Sequence, residues 1–586
     1  MESNGGISVG KTPKYRWTYK KIDEKKIIDI FLSLSNLPKS IIEVLLKRGL
    51  DSKDLIVDFF EAPLGSLNNP FLMKDMDKAV KRVLKAVKDN EKICIYGDYD
   101  VDGVTATSLL YDFLLQISDN VIFYIPKRLE EGYSLNVDAL NELKSKNISL
   151  IITVDCGITS ISEIKYAKNL GIDVIVTDHH QLGETFPEDA YAVVNPQQPD
   201  DTYPFKFLSG VGVAFKLAMA FKYIYEKSGY KKLPPIKHYL DLVALGTIAD
   251  VVPIIGENRI FVKHGLKLLE NSPRAGIEEL KKISGLTKSD ITSANIGFSL
   301  APRINAVGRL GNCKSSVKLL ITKNSNEAKW LSEELEVENK YRQELEKNIL
   351  RETLEKIEKK KLNEKYKGLV IHSYSWHPGL IGIIASRLVE KYSKPSIVLT
   401  IENGIAKGSA RSISSFDIFS CLQSMSDILI EFGGHKYAAG LKLDARNLQI
   451  LQKRFHEFIS KHLSDEQLIP ELTIDAYLEP NDINEHMFKI LDSFRPFGNG
   501  NPEPNFCMRR VKKAQDFALL GKEKGVLKGF IEKNGRYFEL IGFNMSEYRD
   551  LIMENDTFDI VFVPEYNHWI GGSNIQLKIK DIKKSS

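Results

Sequence analysis

Between about residue 90 and residue 195 the chain alternates short apolar runs with longer stretches of helical periodicity. The runs are Ile93–Tyr96, Val121–Ile125, Leu150–Val154, Val174–Val176 and Ala192–Val194. They are continuous rather than alternating. This predicts parallel strands buried on both faces by the helices between them. Upstream, residues of about 25–65 read as small helices, with Ile41–Leu46 largely apolar. Residues 326–362 contain neither Pro nor Gly, are rich in charge, and bring Leu331, Leu335, Arg342, Leu345 and Ile349 near one face. A helix of that length reaches roughly 50 Å and would connect two domains. A second α/β block follows at about 366–462. After Pro496–Pro502, short strand-like runs separated by turns predict a small all-β barrel or sandwich.

Composition narrows the class only slightly. The chain has 586 residues, 43% hydrophobic and 27% charged, which suits several globular cores and argues against a disordered chain. A net charge of +4 says little about partners, so any nucleic-acid surface has to be local. The cysteines (Cys94, Cys156, Cys313, Cys421 and Cys507) form no C-x-x-C pair, which disfavours a disulfide framework or cysteine zinc site and fits a reducing compartment. Met1–Gly6 has no apolar run, so no secretory signal is expected. No apolar stretch is long enough to span a bilayer. The expectation is a cytoplasmic protein without a membrane anchor.

Gly5–Thr12 matches a P-loop letter for letter. Only four residues precede Gly5, too few for the required strand, and Pro13 biases Thr12 away from helix. A leader is expected there, not a nucleotide site. Gly210-Val211-Gly212 resembles a dinucleotide fingerprint, but the third Gly is missing and no strand precedes it. It reads as a tight helix entry.

The informative pattern lies at the ends of the strands. The first runs into Gly97-Asp98-Tyr99-Asp100-Val101-Asp102-Gly103. The third ends at Asp155, the fourth at Thr177-Asp178-His179-His180, and a later helix-like run at Asp250. Clustered carboxylates repel one another unless a cation offsets their charge. Ligands of open parallel sheets bind beyond the carboxyl ends of the strands, so these distant residues would converge in one crevice. Each Asp taken singly could be a helix N-cap. The set, with two adjacent histidines, points instead to manganese or magnesium. Two such ions would activate a water and stabilise the leaving oxygen of a phosphate ester.

The Asp-Tyr-Asp-x-Asp-Gly, Val-Asp-Cys-Gly, Thr-Asp-His-His and Gly-Thr-Ile-Ala-Asp-Val-Val-Pro segments resemble motifs of the DHH phosphoesterase superfamily. Within it, the chain from about residue 65 onward is similar to the RecJ family of single-strand DNA exonucleases. The resemblance implies metal ligation by Asp98, Asp100, Asp102, Asp155, His179 and Asp250, with Asp155 favoured as the bridge. His180 would lie against the scissile phosphate, and Asp178 would orient the loop. Chemistry would rest on Asp100, Asp102, Asp155, His179, His180 and Asp250 with two Mn2+ or Mg2+ ions.

The resemblance also assigns phosphate-handling residues. Arg128, after the second strand, would lie near the DNA 5′ end. Arg303, Asn305 and Arg309, in a segment (301–309) that would otherwise read as an ordinary loop, would meet phosphate; guanidinium geometry suits that role. Trp376–Gly382, Gly408–Ser412 and Phe432–His435 together resemble a DHHA1 substrate-binding domain, in which Ser409, Arg411, Gly433, Gly434 and His435 hold substrate phosphates. Trp376 and His377 read more readily as core residues. The C-terminal strands mix Arg509, Arg510, Lys512, Lys513 and Lys528 with Phe530, Tyr537, Phe538, Tyr566 and Trp569, which suits an OB-fold tracking single strands. At least half of these aromatics are expected to fill the barrel. Val101, Ser134 and Val307 stand where the family has Ala, Gly and Ala.

The expected architecture is therefore α/β. Residues 1–65 form a leader with small helices, and 66–325 a parallel-sheet DHH domain. Residues 326–362 form a long helix, 363–465 a smaller α/β DHHA1 domain, and 466–586 an all-β OB-fold. The expected activity is release of 5′ mononucleotides from single-stranded DNA in the 5′→3′ direction, in DNA repair and recombination. A DHH oligoribonuclease or cyclic-dinucleotide phosphodiesterase is the alternative, and a non-catalytic replication scaffold the third reading. A monomer is expected, with a single-strand-binding protein and a helicase as partners by analogy.

Overall fold

The computed structural model describes residues 14–585 except 128–130, 133, 184, 287–290, 311–312, 522–523 and 568–573; the side chains of 309, 310, 567 and 574 are also left undescribed. The P-loop-like stretch 5–12 therefore lies outside the described residues. The chain forms two compact units. One comprises residues 57–344 with 494–502; the other comprises residues up to 56, 345–493 and 503 onward.

The first unit is built on five parallel strands: β1 (Ile93–Gly97), β2 (Val121–Tyr124), β3 (Leu150–Val154), β4 (Asp173–Thr177) and β5 (Ala192–Val194). Their order is β2-β1-β3-β4-β5. Strands β1 and β3 are neighbours although β2 lies between them in sequence, so the chain direction across the sheet reverses there. Such a switch point is where open α/β sheets bind ligands. The central strands are buried on both faces, as their apolar runs require. One face is covered by α1 (Val101–Leu115) and α2 (Gly210–Lys227), on which α3 (Leu240–Ala249) packs; all three are apolar nearly all round. Downstream come a π-helical turn (Ile296–Leu300), α4 (Ala301–Leu310) and the start of α5 (Ser325–Lys359).

The expectation of a loop at 301–309 is corrected: these residues form α4, and Pro302 directly follows the π-helical turn inside a continuous helical run from Ser293 to Leu310. On α5, Leu331, Leu335, Arg342 and Ile349 are buried, matching the face read from the sequence.

The second unit carries a five-stranded sheet: β6 (Leu369–Ser373), β7 (Ser396–Glu402), β8 (Ile405–Arg411), β9 (Glu431–His435) and β10 (Ala438–Asp444), in the order β9-β10-β8-β7-β6. Only β6 and β7 are parallel. Helices α6 (Ile381–Tyr392) and α7 (Leu448–His462) pack with this sheet. Gly433-Gly434-His435 forms the end of strand β9. Trp376 is buried and donates its indole N–H to Glu352, so the core reading holds for it.

The C-terminal strands are β11 (Phe506–Lys513), β12 (Val526–Lys533), β13 (Arg536–Phe543), β14 (Phe558–Asn567) and β15 (Asn574–Lys584), with α8 (Tyr548–Glu554) before β14. Pairing runs β11-β14-β15-β13-β12 and closes through β11–β12, with β13 and β15 parallel. Closure through Lys512 and Lys513 gives a five-stranded barrel of OB topology, with the short strands Ala476–Tyr477 and Ala518–Leu520 added beside β11 and β12. Among the described aromatics, Phe538 fills the barrel and Tyr566 packs on Phe488, but Phe530 and Tyr537 face outward. Trp569 lies outside the described residues. Two of the four described aromatics are thus packed and two exposed.

Candidate metal centre

Register alone brings the acidic motifs together. Gly97 pairs with Val154, and Val154 with Thr177, so Asp98, Asp155 and Asp178 leave adjacent strand ends side by side. The Asp155 N–H donates to Thr177 O, and the Asp178 N–H to Val194 O. Asp155 adopts φ 62, in the left-handed region that strains a residue with a Cβ. Asp250 follows the last residue of α3, and Val251 beyond it has φ 61.

Three groups of side chains converge, each with its ligand atoms within 4.8 Å of one another: Asp98, Asp100 and Asp155; Asp155, His179 and His180; and Asp102, His179 and Asp250. Asp155 and His179 each belong to two groups. His179 Nε2 stands 3.1 Å from Asp155 Oδ1, 3.6 Å from Asp250 Oδ2 and 3.9 Å from Asp102 Oδ2. All seven residues read from the sequence are therefore in one place.

The N-cap reading explains part of the set. Asp100 caps α1 by accepting the Gly103 N–H at 3.1 Å. Asp102 caps a different helix: its two oxygens accept the N–H groups of Gly210 (2.6 Å) and Val211 (2.9 Å) at the start of α2. The tight helix entry at Gly210 is thus a fixed donor pair for a carboxylate. Asp178 accepts the N–H groups of Ile158, His179 and His180 and bonds the His180 ring at Nδ1, 2.7 Å away. These bonds hold both histidines in place.

The electrostatics favour a cation among these carboxylates. Burial, then the Asp100 charge, pushes Asp102 up to about 7. Burial, then the Asp102 and Asp100 charges, pushes Asp250 up to about 9. Asp155 is raised by burial and by four neighbouring carboxylates, led by Asp102. Burial, then the charge of His180, lowers His179 to about 4, so its ring is neutral. The neutral ring aims Nε2 at the carboxylates of Asp155, Asp250 and Asp102. Nε2 and the Asp250 Oδ2 are buried without a hydrogen-bond partner. Acceptor facing acceptor in a buried site is unfavourable, and a divalent cation between them removes the conflict. Hard oxygens with an imidazole, and no thiolate, suit Mn2+ or Mg2+. His180 behaves oppositely to His179. Burial pulls it down but is outweighed by Asp178, with help from Asp250 and Asp100, and it rises to about 9.

The remaining expected residues are distributed as follows. Arg128 lies outside the described residues, as does the side chain of Arg309. Arg303 is held by Glu336 on α5 at 2.7 Å and donates to Ser299 O. Asn305 is half-buried on α4. That helix packs onto the acidic loop: a Cβ on Gly308 would lie 2.5 Å from Tyr99 O, and Cys313 donates to the same carbonyl.

In the second unit, Ser409 pairs with Gly440, which pairs in turn with Gly433, and Arg411 pairs with Ala438, which pairs in turn with His435. Directly opposed residues share a face, so Ser409, Arg411, Gly433 and His435 line one face, kept open by small residues. The Arg411 Nη1 donates to Ser409 Oγ. Gly434 belongs to the opposite face, and its φ of 138 marks a backbone need for Gly. Sequence reasoning missed Gly382 in the first turn of α6, where a Cβ would meet Ser409 Oγ at 3.1 Å and Arg411 Nη2 at 3.3 Å. It also missed Gly440; the only signal was the run of small residues Ala438–Gly440.

Comparison with known proteins agrees with this geometry. Residues 92–247 match the DHH family N-terminal domain, and residues 363–461 the DHHA1 domain. Fold and centre together define a phosphoesterase of the DHH class. Residues 474–581 match the RecJ OB domain. The chain is 40% identical to the single-stranded-DNA-specific exonuclease RecJ of Bacillus subtilis, over 97% of this chain and 71% of that protein. It is 37% identical to the RecJ of Salmonella typhimurium, over 87% and 90%. The crystal structure of Thermus thermophilus RecJ in complex with Mn2+ superposes with a TM-score of 0.83 at 29% identity, covering 98% of this chain and 80% of that one. The chain belongs to the RecJ family of single-stranded-DNA-specific exonucleases. Among the described residues, no helix is long and apolar enough to cross a membrane.

Proposed function

We propose that this protein is a metal-dependent exonuclease that degrades single-stranded DNA from its 5′ end and releases 5′ mononucleotides. The supporting observation is the buried, unpartnered pair of His179 Nε2 and Asp250 Oδ2 within a cluster of carboxylates. Asp98, Asp100, Asp102, Asp155, His179 and Asp250 would hold two Mn2+ or Mg2+ ions. When bound, these ions lower the pKa of a water and offset charge on the phosphate. Asp178 keeps His180 protonated and oriented, so that its ring donates to a phosphate oxygen as negative charge builds there. Asp102 fixes the start of α2, where main-chain N–H groups stabilise the carboxylate.

On the second unit, Ser409, Arg411, Gly433 and His435 bind backbone phosphates, and Arg128 and Arg303 contribute to holding the 5′ end. The outer face of the OB barrel holds the trailing strand. A helicase would supply single strands, and a single-strand-binding protein would present them.

A time course of digestion tests this, with single-stranded and duplex DNA labelled at either end, in Mn2+, Mg2+ or chelator. Immediate mononucleotide release from the 5′ label of single strands, abolished by chelator and by Asp100→Ala, is expected. Release from the 3′ label first, or undiminished cleavage in chelator, would overturn the reading.

A further inference from the structure

A groove of about 990 Å³ on the second unit serves none of the functions described above. One side is strand β6. It is the last strand of its sheet, with β7 as its single neighbour. Leu369 N donates to Pro395 O on the β7 side. Successive residues of a strand turn their main-chain groups to opposite sides, so Val370 and His372 present theirs to the groove. Lys356 Nζ reaches His372 O at 3.3 Å from that direction. The walls are the last turns of α5, with Lys356, Lys359 and Lys360, and the face of α7 carrying Lys453 and His456. Leu362 and Tyr366 add an apolar floor.

The charge is one-sided. Four lysines line the groove against one carboxylate, Glu457, which stands 4.0 Å from Lys453; Lys356 also pairs with Glu352 at 2.7 Å. The field is felt inside: burial, then Lys356 and Lys360, hold the His372 ring below its usual pKa. Burial, then Lys365, lowers His456 to about 4, and its ring stacks on Tyr366. The Nδ1 atoms of both histidines are buried with no hydrogen-bond partner. Lysines along an edge deter pairing with another copy of this chain, but they attract a strand of opposite charge.

We propose that this groove binds an extended acidic peptide segment of a partner protein, which adds a strand to β6. The main-chain groups of Val370 and His372 give the pairing. Apolar side chains on one face of the peptide meet Leu362 and Tyr366, and carboxylates on the other meet Lys359, Lys360 and Lys453. Strand addition of this kind takes affinity from the main chain and specificity from alternate side chains. A nucleic-acid strand would satisfy the lysines but leave the strand edge unpaired.

The test uses the full chain and a fluorescein-labelled eight-residue peptide alternating aspartate with valine or isoleucine. Anisotropy should show saturable binding, weakened at least about tenfold in K359E/K360E/K453E. A peptide of the same charge with prolines at two central positions should also bind about tenfold more weakly, since it cannot pair. Hydrogen exchange should slow at Val370 and His372 when the first peptide binds. Val370→Pro, which removes one outward N–H at an edge, should weaken binding, and the lysine variant keeps the test open if that protein does not fold. Equal binding of the two peptides, binding indifferent to the lysine variant, or unchanged exchange at β6 would overturn the proposal. So would loss of oligo-dT affinity in the lysine variant without loss of peptide affinity.

Discussion

Gly210 leaves no room for a side chain beside Asp155: a Cβ there would lie 2.5 Å from the Asp155 Oδ1. The same glycine donates its N–H to Asp102. One small residue at the entry to α2 therefore sets the spacing of two proposed metal ligands. Gly210→Ala is expected to displace Asp155 and lower nuclease activity by about a hundredfold, the usual effect of a misplacement on the order of 1 Å. Single-strand DNA affinity should fall far less. Activity within about twofold of the parent would show that the contact is not tight.

The acidic cluster makes stability depend on both pH and metal. Asp102 and Asp250 are raised to about 7 and about 9 in the folded protein, against ~3.9 for an unfolded Asp. The metal-free fold thus binds more protons than the unfolded chain. The stability contributed by these two carboxyls is full below about pH 4 and is lost progressively as pH rises through those folded values. Cations replace the protons and remove the loss. Melting curves in chelator should therefore fall in Tm from mildly acidic to alkaline pH, and the gap to the Mn2+-loaded protein should widen over the same range. A gap independent of pH would contradict the assigned ligands.

A buried ion pair anchors the same helix. Lys216 on α2 is fully buried and bonds Glu257 Oε1 at 2.5 Å and Asn68 O at 2.9 Å. Removing one partner leaves the other charge buried and alone. Lys216→Ala is expected to destabilise by about 3–5 kcal/mol, whereas the double replacement Lys216→Met with Glu257→Leu should cost much less. Urea unfolding of the three proteins distinguishes the pair from simple packing.

The strand-end motifs made the centre legible because a parallel sheet places strand ends together whatever their separation in sequence. Asp98, Asp155 and Asp178 needed no more than that. Other features depended on packing that periodicity does not carry. Asp102 looks like a first-turn residue of its own helix, yet it caps α2, more than a hundred residues away. Arg303 reads as a loop arginine, but it lies on α4, paired to Glu336. Gly433-Gly434-His435 reads as a turn because two glycines disfavour strand; pairing with β10 overrides that tendency. The barrel was visible as a run of short strands, but which aromatics point outward depends on register, and one residue of shift exchanges the faces.

That register supports a prediction about DNA. Phe530 opposes Glu539, and Tyr537 opposes Glu532, so both rings project from the outer face of the β12–β13 hairpin, 37% and 67% exposed. Phe543 joins them at 54%, and Lys528, paired with Glu539, lies on the same face. The face of these two strands is where OB-folds bind oligonucleotides. Stacking on an exposed ring contributes about 1–3 kcal/mol per base. Phe530→Ala and Tyr537→Ala should each weaken binding of a thirty-residue oligo-dT by about tenfold or more, with thermal stability nearly unchanged. Phe538→Ala, one residue away but interior, should instead destabilise by about 3–5 kcal/mol. Hydrolysis of a dinucleotide, which offers few bases to stack, should survive the first two substitutions. Unaltered oligo-dT affinity in the Phe530→Ala/Tyr537→Ala double variant would show that these rings take no part in holding the strand.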